Sequence, residues 1–96
     1  MTKSLATLTA ELRRLRVLQT LHNSAEYTAD LEMLCDYLVV SMMLLIEDAG
    51  WLEEHGLVEL DQVDGVTSVW LTRLGKDVAM GRELANGRQR ASKSLS

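Results

Sequence analysis

Asp64-Gly65 sits between two runs of alternating side chains, and no other feature constrains the fold of this chain as strongly. Val58 and Leu60 alternate with Glu59 and Asp61 before it, and Val69 and Leu71 alternate with Ser68, Trp70 and Thr72 after it. Asp-Gly supplies the two positive-φ residues of a tight turn whose twist matches that of its strands, so the segment predicts a two-stranded β-ribbon. What precedes the ribbon has helical spacing, which makes the chain α+β.

Leu5, Leu8, Leu12, Leu15, Leu18 and Leu21, with Val17 beside them, recur at intervals of three and four and predict a first helix over about residues 4–22. Asn23 and Ser24 offer turn chemistry. Thr28 is positioned to cap a second helix that carries Leu31, Leu34, Cys35 and Leu38. One long helix over 29–55 competes with two helices separated near Ser41. The β-branched pair Val39-Val40 is a poor helix interior and Ser41 a usable cap, which favours the break. Gly56 then stops the third helix after His55, the ribbon follows, and Thr72 caps a short helix through Val78, Ala79 and Met80.

Ninety-six residues, 47% hydrophobic and without proline, fit one core and exclude two domains. The expected domain is 1–81. Residues 82–96 hold too little apolar surface to offset their ordering entropy and are expected to be disordered. The formal charge is −4 with pI near 5.0, so no overall positive field draws the chain to nucleic acid or anionic lipid. Residues 1–60 carry 4 basic and 10 acidic groups, whereas 82–96 carry 4 and 1, which concentrates positive charge in the tail. The single Cys35 cannot form an internal disulfide, and no apolar run approaches the roughly 20 residues of a membrane helix. A cytoplasmic setting is expected, with no membrane partner.

Three helices, a glycine stop, a hairpin and a capped short helix outline a winged helix-turn-helix of order α-α-α-β-β-α. The stretch WLEEHGLVEL and the later VDGVTSVWLTRLGKDVAMGRE resemble the third-helix end, wing and following helix of the MarR/ArsR-like superfamily. WLEEHGLV and LTRLGKDVA look most like small ArsR-like winged-helix proteins of phage and prophage genomes. The resemblance covers about residues 10–83. It implies a DNA-associated transcriptional regulator whose third helix enters the major groove beside a backbone-touching wing.

With Leu45, Ala49 and Leu52 inward, helix periodicity turns Met42, Met43, Ile46, Glu47 and Gly50 outward. That set holds no Arg, Lys, Asn or Gln to pair with base edges, and the wing tip Asp61, Gln62, Val63, Asp64 holds no cation for phosphate. Both depart from a DNA-reading member. Met42, Met43 and Ile46 would instead expose roughly 200–300 Å² of apolar area, worth several kcal/mol if a partner covered it. The same three side chains serve as core if the helix is rotated or fused to its predecessor. The candidate surface for DNA or a protein partner is therefore Ser41, Met42, Met43, Ile46, Glu47, Gln62 and Asp64, with Arg73, Arg82, Arg88 and Arg90 as candidate backbone contacts.

Arg13, Arg14 and Arg16 read as solvated charges or further DNA contacts. His22, Cys35 and His55 lack zinc-ligand spacing, the pairs Glu47-Asp48 and Glu53-Glu54 diverge on their helix, and phosphate loops and nucleophile elbows are absent from the sequence. No enzyme, metal or cofactor is expected. Trp51 and Trp70 read as large residues joining helix to wing. Leu5, Leu8 and Leu12 extend beyond one small core and are the candidate interface of a homodimer.

Overall fold

Ser4 opens the first helix by accepting from the Thr7 N–H with its hydroxyl, and α1 runs Leu5–His22. The computed structural model describes residues 4–81; Arg82, Arg88, Arg90 and the expected disorder of 82–96 lie outside the described residues. Val17, Leu18 and Leu21 at the end of α1 are buried, while its first two turns extend past the core. A single 3-10 turn, Ala25–Tyr27, then leads into a strand that the sequence pattern does not predict, β1, Thr28–Asp30. Glu26 and Tyr27 both take positive φ there, which reverses the chain tightly.

This strand changes the expected order to α-β-α-α-β-β-α. Thr28 does not cap α2; it closes the 3-10 turn, pairs opposite Trp70, and its hydroxyl donates to the Val69 carbonyl at 2.9 Å. Asp30 is the cap, accepting the Met33 N–H at 2.8 Å at the start of α2, Leu31–Leu38. The displacement has a simple cause: Thr28 is more useful as a β-branched strand residue, and a carboxylate two positions later caps a helix equally well.

The chain breaks before Ser41, as the β-branched pair predicts. Val39 ends α2 in the left-handed conformation (φ 57°, ψ 53°), and Ser41 starts α3, Met42–Glu54, by accepting from the Leu44 N–H. Gly56 leaves α3 at φ 75°. Strands β2, Val58–Val63, and β3, Val66–Leu71, form the hairpin around Asp64 and Gly65, both at positive φ. The sheet order is β1-β3-β2 and antiparallel throughout, so the two-stranded wing is continued at its base by a short third strand. Thr72 caps α4, Arg73–Ala79, accepting from the Gly75 N–H at 3.0 Å.

One apolar cluster unites the elements. It contains Val17, Leu18 and Leu21 of α1, Leu34 and Leu38 of α2, Leu45 and Leu52 of α3, and Val58, Val69 and Leu71 of the sheet. The packing of α2 and α3 on the end of α1, with the hairpin beside α3, is a winged helix-turn-helix.

Candidate docking face of the third helix and wing

Leu45, Ala49 and Leu52 fix how α3 is rotated, because all three are buried in the core. The opposite stripe is therefore exposed: Met43 is 73% and Ile46 53% accessible, with Met42 and Leu44 also exposed. Glu47 lies beside them in solvent. Ser41 is exposed too, but its hydroxyl is occupied by the helix cap, so its role in this structure is to start α3.

Two adjoining hollows separate α3 from the wing. One, of about 380 Å³, is lined by Leu31, Ile46, Ala49, Leu60, Gln62 and Thr67. The other, of about 270 Å³, shares Leu31, Ile46 and Thr67 and adds Met42, Gly65 and Val66, with Asp30 and Glu32 at its end. The fold thus brings Met42, Ile46 and Gln62 to one cleft. Met43, Glu47 and Asp64 flank this region without lining the cleft, and Arg73 lies apart from it at the first position of α4, exposed.

The electrostatics of this face follow from a run that the segment-by-segment charge count conceals. From residue 17 through 72 the chain has no Lys or Arg and eleven Asp or Glu. All of α2, α3 and the wing fall inside it. A surface that reads duplex DNA gains affinity chiefly by neutralising phosphates, and each contact contributes about −0.9 to the slope of log K against log salt. This face has no cation with which to begin.

Asp48 is the buried charge that the sequence reading misses. It is fully buried and holds two guanidiniums: Arg13 donates Nε to Oδ2 and Nη2 to Oδ1 at 3.0 Å, and Arg14 donates Nε to Oδ1 at 3.2 Å. The hydrogen bond to Asp48, against some loss of hydration, pushes the Arg13 pKa further up, so its charge is permanent. Arg14 also lies 4.3 Å over the Trp51 ring, whose other partner is His55, stacked at 3.7 Å. Arg13 and Arg14 are thus neither solvated nor set out for a nucleic acid; they pin α1 to α3. The signal was available, since Asp48 shares the buried stripe of Leu45 and Leu52 at helical spacing.

The tryptophans also differ from expectation. Trp51 faces α1, and Trp70 is on the outer face of the sheet opposite Thr28 and Glu59; neither joins helix to wing. Trp51 instead walls a second, apolar groove of about 640 Å³ with Leu8, Leu12, Leu15, Leu57 and Val78. Leu5, 79% accessible, extends beyond this groove on the same helix. Cys35 points its thiol at Met42 Sδ, 3.8 Å away, and burial, then Asp36 and Glu32, push its pKa up, which leaves little reactive thiolate. Among the described residues no group of three His, Cys, Asp or Glu is placed to hold a metal ion. No described helix is long and apolar enough to cross a membrane.

The architecture defines a winged-helix domain. The chain is similar to a solved structure of ZitR from Lactococcus lactis, the apo form of a mutant, with a TM-score of 0.65 and 13% sequence identity over 93% of this chain and 67% of that one. No protein-family model matches the sequence, and no curated protein matches it.

Proposed function

We propose that this chain is a regulator-type winged-helix protein that acts by binding another protein through α3 and the wing, and does not read DNA with them. The observation that carries the reading is the solvent-facing stripe of Met42, Met43 and Ile46 within a 56-residue stretch without a single cation. Burying that stripe gains free energy from apolar area, and methionine adapts to the shape it meets. Presenting it to a phosphate backbone brings Asp30, Glu32 and Glu47 towards a polyanion with no cation of α2, α3 or the wing to offset them.

The active unit in this reading is a homodimer. Leu8 and Leu12 stand beside the apolar groove that they help to line, so a two-fold pair can seat the leucine ridge of each α1, Leu5 included, against the groove of its partner. The likeness of WLEEHGLV and LTRLGKDVA to small phage and prophage proteins supports a phage-borne regulator, and the lone Cys35 fits a cytoplasmic setting.

A second reading, DNA association, is favoured by the fold likeness to ZitR and by the basic groups that remain: Lys3, Arg16, Arg73, Lys76 and the four of residues 82–96. Anisotropy of a labelled random duplex with the full chain, titrated with salt, separates the two. The first reading expects no saturation even at low salt. The second expects saturable binding whose log–log salt slope grows with the number of cations engaged, to a limit of about −7 for all eight. Saturable binding with that salt dependence rejects the first reading.

A further inference from the structure

We infer that the cleft between α3 and the wing is a docking site for a cationic amphipathic segment of a partner polypeptide, an inference that rests on the protein-binding reading above. The cleft mixes apolar and polar side chains: Leu31, Met42, Ile46, Ala49, Leu60 and Val66, with Gln62 and Thr67 among them. Its two hollows adjoin, so successive side chains on one face of a segment, spaced i, i+3 or i+4 and i+7, can enter side by side. Asp30 and Glu32 are among its lining residues, Glu47 is exposed next to Ile46 on α3, and Asp64 stands at the tip of the wing beside Gly65. No Lys or Arg from residue 17 through 72 offsets them. A partner with apolar anchors on one face and Lys or Arg on its flanks matches both properties, and its charge also speeds encounter.

The same observations weigh against the other occupants. A second copy seated here through a two-fold axis would place like carboxylates against like, which costs several kcal/mol in mismatched interfaces. The chain's own residues 82–96 are basic, but Leu84 and Leu95 are their only large apolar side chains and stand eleven positions apart. They satisfy the charge and not the cleft.

The test uses the full 15N-labelled chain and three synthetic peptides of about 18 residues: an amphipathic Leu/Lys helix former, a scrambled peptide of the same composition, and the amphipathic pattern with Glu for Lys. The expected result is saturable shift changes at Leu31, Ile46, Leu60 and Thr67 with the first peptide, at least about tenfold tighter than with the scrambled one, and none with the Glu peptide. Ile46→Asn, which removes an anchor without adding charge, weakens the first peptide by about tenfold while the dispersed spectrum shows an intact fold. Equal affinity for the scrambled peptide, or binding of the Glu peptide, overturns the inference, as do contacts between Leu84 or Leu95 and Ile46 in the free chain, which would show the cleft filled from within. Duplex DNA shifting these same amides defeats the protein-binding reading itself, whereas peptide indifference with DNA silent defeats only the inference.

Discussion

A fully buried carboxylate is costly unless its oxygens are answered, and Asp48 is answered by three guanidinium hydrogen bonds from Arg13 and Arg14. Asp48→Ala leaves both cations facing the vacated site and is expected to cost about 3–5 kcal/mol, read as the fall in urea midpoint. Adding Arg13→Met to Asp48→Leu recovers part of that loss; a change under about 1 kcal/mol for Asp48→Ala would mean the pair is incidental. Gly75 and Gly50 make a second contrast at this scale. A Cβ on Gly75 would overlap the Leu57 carbonyl oxygen and press Leu71, so Gly75→Ala destabilises by about 1–3 kcal/mol or more. A Cβ on Gly50 meets nothing, so Gly50→Ala stabilises α3 by about 0.5–1 kcal/mol, and thermal melts of the two variants move in opposite directions. Neither partner is visible in one dimension: Arg13 and Asp48 are 35 positions apart, and only the inward register of residue 48 hinted at the charge inside.

The junction of α2 and α3 shows how much of an element local chemistry decides. Val39 is 86% exposed and sits at φ 57°, a conformation that β-branched residues resist, so it gives up backbone energy and little burial. Val39→Gly is expected to gain up to about 1 kcal/mol, some 4–8 °C in melting temperature, and Ser41→Ala to lose about 1 kcal/mol with the cap. A fall in melting temperature for Val39→Gly would contradict the strain argument. Helix stops, caps and the hairpin were legible because each depends on neighbours within four residues: Ser41, Gly56, Asp64-Gly65 and Thr72 all act where the pattern put them. Strand β1 was not. Thr28, Ala29 and Asp30 are too few to show alternation, and they become a strand only because Val69 and its neighbours offer a ladder 41 positions away.

Among the described residues two surfaces carry apolar area outside the core. The α1 ridge and its groove hold apolar area beside Glu11 and Arg14 and suit self-association, whereas α3 and the wing combine apolar area with one sign of charge. On the proposed homodimer the parent chain is expected to sediment as a dimer and the double variant Leu8→Glu with Leu12→Glu as a monomer, with its helical signal unchanged. A dimer that survives both substitutions would place the interface elsewhere. Helical spacing left Met42, Met43 and Ile46 either outward or in the core; the burial of Leu45, Ala49 and Leu52 decides for outward, and the convergence of Met42, Ile46 and Gln62 on one cleft required the sheet's register against the helix.

The most direct test follows the backbone amides of the full chain during addition of a duplex of about 20 base pairs at about 20 mM salt, where phosphate contacts are strongest. Amides of residues 42–50 and 61–66 are predicted to hold their positions throughout. Saturable shifts at Met43, Ile46 and Glu47 that fade as salt is raised would contradict the account and assign α3 to the DNA groove.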